Sequence, residues 1–130
     1  MEEVYDFLKK CGTFYIATID GDKPRVRPFG AVNIFDGKLY IQTGKVKNVS
    51  KQMQINPNVE ISGSIDGKWI RLEGKVVRDD RREAKANMLD ENPVLKNMYS
   101  ADDGNTEVLY FENAIATFYS FTDKPKTIKF

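Results

Sequence analysis

The chain is 130 residues long, with 20 Lys and Arg against 19 Asp and Glu, 41% hydrophobic residues and a formal net charge of +1. That size and balance predict one globular domain over residues 1–130, and the near-neutral charge argues against a nucleic-acid binder. With no histidine and a single cysteine, Cys11, the chain has no Ser–His or Cys–His pair, no His- or Cys-built metal site, no imidazole haem ligand and no internal disulfide, so redox chemistry would need a bound cofactor.

Residues 2–11 place Val4, Phe7, Leu8 and Cys11 on one helical face, which predicts a short amphipathic helix with a buried thiol. Met1-Glu2-Glu3 is no signal-peptide start and no apolar run reaches membrane-spanning length, so a cytoplasmic protein without a membrane partner is expected. The stretch Thr13–Ile19 reads as a strand, and a second extended run follows over Pro24–Phe35. Within it, alternation puts Arg25 and Arg27 on one side and Val26 and Pro28 on the other, and the prolines predict an edge strand or a bulge. Lys38–Thr43 is a third strand. Asp20-Gly21, Asp36-Gly37 and Asp66-Gly67 all lie between β-rich runs, as tight hairpin turns require.

After Gly44 the periodicity becomes helical, with Val46, Val49 and Met53 on a narrow apolar stripe, and Asn56-Pro57 stops it. Residues 23–51 hold seven Lys and Arg against one acid, Asp36, a local +6 in a chain whose remainder carries −5. Lys45, Lys47 and the Asn48 amide gather where this helix begins, and free N–H groups and the positive dipole end suit a phosphate there. A solvated helix face is the alternative for such lysines.

Strands are predicted over Val59–Ile65 and Lys68–Arg78, the latter with Ile70 and Leu72 inward and Trp69, Arg71 and Glu73 outward. An outward Trp69 suits a subunit interface or a ring-stacking site. Asp80 and Glu83 form a capping-box pattern for a helix to about Leu89, and Asn92-Pro93 opens another with Val94, Leu95, Met98 and Tyr99 on its inner face. A polar loop, Ser100–Thr106, precedes strands at Val108–Phe111, Ala114–Phe121 and Thr127–Phe130. The fold class expected is mainly β with inserted helices, an antiparallel sheet most easily closed as a small barrel. No Walker or dinucleotide-binding glycine motif is present, and no acid pair is spaced for general acid–base work.

Four segments carry a family resemblance: Pro24-Arg25-Val26-Arg27-Pro28-Phe29; Leu39-Tyr40-Ile41-Gln42-Thr43 followed by Lys47, Asn48 and Lys51; Asn56-Pro57-Asn58-Val59; and Arg71-Leu72-Glu73-Gly74. In order and spacing the chain resembles the pyridoxamine 5′-phosphate oxidase-like FMN-binding split barrels, and is most similar to their short, Nim-type branch. The resemblance implies a homodimer with FMN at the interface. It implies that Arg27, Lys47 and Asn48, with Lys51, hold the phosphate, and that Arg27, Pro28, Phe29, Gln42 and Thr43 line the isoalloxazine. Trp69 matches a position that reaches the flavin from the partner subunit in the larger oxidases. The C-terminal Trp/Arg substrate motif of those oxidases and the site histidine of Nim-type proteins have no counterpart in this sequence. The function expected is an FMN oxidoreductase passing electrons from a reduced nicotinamide to a small acceptor. A non-catalytic flavin store or sensor is the alternative, and an oligonucleotide-binding barrel the more distant one.

Overall fold

The computed structural model describes residues 1–130. Helix α1 (Glu2–Cys11) is followed by β1 (Phe14–Asp20), β2 (Lys23–Phe29), β3 (Val32–Phe35) and β4 (Lys38–Gly44). Helix α2 (Asn48–Ile55) leads into β5 (Asn58–Ile65) and β6 (Lys68–Asp79), and α3 (Arg82–Glu91) with a 3₁₀ helix (Pro93–Asn97) leads into β7 (Thr106–Ser120) and β8 (Lys126–Lys129).

All eight strands belong to one antiparallel sheet, ordered β2-β1-β5-β6-β7-β4-β3, with β8 also on β7. The Asp-Gly signals mark its hairpins. Asp36 and Gly37 have φ of 52° and 71°, and Asp66 and Gly67 have 54° and 74°, the paired positive values that a tight two-residue hairpin turn needs. The sheet is mainly β and antiparallel as expected, but no ladder joins β2 to β3, so the barrel is split rather than closed. Gly30-Ala31 interrupts what the sequence suggested was one extended run and carries the chain from one sheet edge to the other. β2 is the edge strand its prolines predict. Conversely, the two strands expected on either side of Glu112-Asn113 are one 15-residue strand. Asn113, at φ 53°, absorbs the irregularity opposite Gly74, where the β6–β7 register shifts.

The main core lies against the inner face of the curled sheet and includes Phe14, Ile16, Leu39, Ile41, Ile61, Ile70 and Leu72, all fully buried. Val4 and Leu8 of α1 and Val49 and Met53 of α2 cap it. The other face of β4 is covered too. Tyr40 joins Ala84 and Met88 of α3 in a second cluster, so β4 is covered on both sides and is buried without a break from Leu39 to Gly44. Tyr40 Oη donates to Asp79 Oδ2 at 2.7 Å, and Arg81 bonds both Asp79 oxygens, which fixes the turn into α3.

Three local expectations fail. Helix α3 begins after Arg81, with no side-chain cap from Asp80, because Asp79 rather than Asp80 accepts the Arg81 N–H. Val46 lies before α2 and is 73% exposed, so it is not part of the apolar stripe. Cys11 is only half-buried, although burial does push its thiol pKa up. No helix is long and apolar enough to cross a membrane.

Candidate functional site

The split in the sheet makes the site. β3 pairs with β4 only as far as Val32 opposite Ile41, so the backbone of Gln42, Thr43 and Gly44 has no strand on that side. Across the gap stands the C-terminal end of β2, and the 3₁₀ helix covers the opening. Between them lies a cleft of about 270 Å³. Arg27, Pro28 and Phe29 come from β2, Gln42 and Thr43 from β4, and Lys47 from the start of α2. The structure thus brings six of the nine sequence-identified residues to one cleft. Asn48 and Lys51 lie on the first turn and a half of α2, beside Lys47 but outside the lining. Trp69 is elsewhere in the chain, stacked on Tyr119 at 5.6 Å and 11° and flanked by Phe121 at 5.2 Å.

Arg27 is the most constrained cation of the cleft. Its Nη1 donates to Thr18 Oγ1 at 2.6 Å and its Nη2 to Gln52 Oε1 at 2.7 Å, so β1 and α2 hold the guanidinium in place. Both partners are neutral, and no carboxylate lies within ion-pair distance. Burial, and then Arg25, push its pKa below the ordinary value. A half-buried guanidinium with only neutral partners retains a strong demand for an anion.

The other basic residues divide into engaged and free. Arg25 pairs with Asp20 at 3.0 Å, Lys38 stands 4.9 Å from the centre of the Tyr110 ring, and Lys45 turns to Asp80 at 3.8 Å instead of joining the start of α2. Lys47 and Lys51 have no acidic partner. Lys47 occupies the N-cap position with extended backbone, and no side chain caps the first-turn N–H groups of α2. Arg27, Lys47, Lys51 and the uncapped helix therefore form a positive, donor-rich pole at one end of the cleft.

The turn that presents Lys47 is built by the loop Ser100–Thr106, which sequence reading left as merely polar. Asp103 accepts from the backbone N–H of Ser100 (3.0 Å), Asn105 (2.8 Å) and Thr106 (2.7 Å). Desolvation raises its pKa, but those donors outweigh it and hold the carboxyl at about 2. Asn105, so fixed, accepts the Lys45 N–H on its backbone oxygen at 2.8 Å and the Val46 N–H on Oδ1 at 3.1 Å. Gly44 lets this clamp close: a Cβ there would come 3.0 Å from Asn105 Nδ2 and 3.2 Å from Tyr99 Oη. The Asp and Asn pattern of an Asx-type loop was the signal available for it.

The remaining wall was not anticipated as part of a site. Val94, Leu95, Met98 and Tyr99 line the cleft, and Val94 and Met98 are 71% and 75% exposed rather than on an inner helix face. Val94, in the short 3₁₀ helix, and Met98, just beyond it, border the opening of the cleft, whereas Leu95 packs against the Tyr40 cluster as an inner-face residue. Thr43 adds a last feature. Its Oγ1 is buried in the lining with no hydrogen-bond partner, a polar atom that costs stability until something bonds to it.

A family profile described as pyridoxamine 5′-phosphate oxidase matches residues 1–124. The chain belongs to the pyridoxamine 5′-phosphate oxidase family. Among solved structures of that fold, a NimC/NimA family protein from Clostridium acetobutylicum is 52% identical, with a TM-score of 0.98 over 100% of this chain and 92% of its own. An FMN-binding, pyridoxamine 5′-phosphate oxidase-related protein from Nostoc punctiforme PCC 73102 shares the fold at 12% identity and TM-score 0.66, covering 99% of this chain and 95% of its own. A heme-binding protein from Mycobacterium smegmatis does so at 13% and 0.72, over 94% and 57%. No curated protein matches the sequence. Solved proteins of this fold thus include one described as binding FMN and one described as binding haem. The residues present suit FMN: an unpaired cationic pole for a phosphate, a free strand edge and an orphaned hydroxyl for a heterocycle, and an exposed apolar wall for its ring.

Proposed function

We propose that this member of the pyridoxamine 5′-phosphate oxidase family binds FMN in the split of its barrel and passes electrons from a reduced nicotinamide to a small acceptor. The observation that carries the reading is Arg27, a half-buried guanidinium held by two neutral groups beside an uncapped helix start. On this reading Arg27, Lys47, Lys51 and the Asn48 amide bind the phosphate, the last through the N-terminal dipole as well. The free edge at Gln42 and Thr43 orients the ring by backbone hydrogen bonds, Thr43 Oγ1 gains a partner, and Val94 and Met98 shield the ring from water. Bound there, the flavin would supply the electron-transfer chemistry that no side chain of this histidine-free protein offers.

A 270 Å³ cleft is shallow for a ligand of that size. A second copy of the chain completing the site supports a homodimer, with the half-buried Trp69 and Tyr119 and the exposed Phe121 as its natural contact surface. A cytoplasmic location, where reduced nicotinamides are available, follows from the same reading. The histidine-free sequence directs the choice between flavin and haem toward flavin.

The test is the absorption spectrum of the purified protein loaded with FMN, followed by anaerobic addition of reduced nicotinamide. Flavin bands that bleach, and return with an acceptor, are the expected result. Bands that persist would make the protein a flavin store or sensor, and failure to retain flavin at all would remove the reading.

A further inference from the structure

Consecutive residues at the end of α3 and beyond, Glu91 and Asn92, line two different pockets. Asn92 borders the cleft described above. Glu91 borders a separate pocket of about 330 Å³, walled by Glu2, Tyr5 and Asp6 of α1 and by Asn33 and Ile34 of β3. Its chemistry is opposite to that of the cleft. Three carboxylates line it, and none of them has a Lys or Arg within ion-pair distance anywhere in the chain. Lys9 donates to Asn92 Oδ1 at 3.3 Å and stands over the Tyr5 ring, 6.0 Å from its centre.

A second observation is independent of the acids. Asn33 is 1% exposed, and its Nδ2 is committed to Asn87 Oδ1 on α3. Its Oδ1 has no partner at all. A buried amide oxygen left without a donor in a pocket wall marks a place where a donor from outside would be stabilised. The phenol of Tyr5 reports the same environment: burial, then Glu91, then Asp6 raise its pKa.

The pocket therefore presents three carboxylates without an ion-pair partner and an amide oxygen without a donor, with Lys9 at its edge over the Tyr5 ring. The carboxylates stand too far apart for any three to close on a metal ion. Glu2 and Asp6 are one helical turn apart, roughly 6 Å of rise, while Glu91 approaches from α3. We propose that this pocket binds a short aliphatic diamine or polyamine. One ammonium is held between Asp6 and Glu91 with Asn33 Oδ1 as a further acceptor, the alkyl chain lies against Ile34, and the second ammonium is at Glu2.

The experiment is an NMR titration of the full chain with 1,5-diaminopentane at low salt, with 1,5-pentanediol as the uncharged control and the double variant Asp6→Asn/Glu91→Gln alongside. Both substituted residues are exposed and outside the cleft, and thermal melting of the free protein checks that the variant is folded. Saturable shifts at Tyr5 and at the Asn33 side-chain amide are expected, with affinity lower by at least about tenfold in the double variant and no saturation with the diol. Shifts that never saturate, equal affinity in the double variant, or equal binding of the diol would each overturn the proposal.

Discussion

Replacing Arg27 by methionine should separate the cost of holding a cation from its use. In the free protein the guanidinium is half-buried, lacks an acidic partner and spends its hydrogen bonds on Thr18 and Gln52. Those two do not need it, because Thr18 Oγ1 already donates to Gln52 Oε1 at 2.6 Å. Methionine keeps most of the aliphatic volume, so the stability of the flavin-free protein should change by less than about 1 kcal/mol, or rise, as removal of an uncompensated charge allows. Binding should respond in the opposite sense. A hydrogen bond to a charged group contributes roughly 1.5–3 kcal/mol, so FMN affinity should fall about 10- to 150-fold, while riboflavin, which has no phosphate, should bind as before. Urea unfolding of the flavin-free protein and fluorescence titration with both flavins read the two quantities separately. A variant that loses more than about 2 kcal/mol of stability yet binds FMN like the parent would refute the reasoning, since Arg27 would then be a structural residue.

The clamp on the helix start gives a second expectation. Gly44→Ala should push Asn105 and Tyr99 aside, lower stability by about 1–3 kcal/mol and weaken FMN more than riboflavin, as parallel melts and titrations would reveal. Acid unfolding tests the Asp79 network. Arg81 lowers the Asp79 pKa, burial opposes it, and Tyr40 adds to the lowering, leaving about 2 against the ordinary 3.8. The stabilisation is complete above the unfolded value and lost as pH falls from 3.8 toward 2, a change of about 2 kcal/mol that Tyr40→Phe should diminish in pH-dependent melts. Trp69→Ala should shift the monomer–dimer equilibrium seen by light scattering. An FMN-loaded chain that is monomeric throughout would remove the shared-site reading.

Much of the fold was legible because its signals are local. The Asp-Gly hairpins depend on backbone dihedrals that few residues tolerate, and Asn56-Pro57 ends α2 whatever surrounds it. Prolines at 24 and 28 identified an edge strand for the same reason. The cationic pole was visible as a run of like charge, but which cations are free was not. Lys45 is removed by Asp80, 35 positions along, and Arg25 by Asp20, and neither pairing is written in a period. Val94 and Met98 were assigned to an inner face because helical periodicity marks apolar residues as core-facing. Their real neighbour is the cleft, an environment fixed by where β3 leaves β4. The clamp by Asn105 and Asp103 was hidden similarly: the residues announced a turn, while its purpose depends on contact with Gly44 some sixty residues earlier.

The central claim, that the split of the barrel holds FMN by its phosphate, is met most directly by titrating the unmodified flavin-free protein with FMN and with riboflavin under identical conditions. The account predicts at least about a hundredfold preference for FMN, from two or three charge-assisted hydrogen bonds, and a preference that narrows as salt rises. Equal affinity for the two flavins would contradict it, and would return Lys47 and Lys51 to an ordinary solvated helix face.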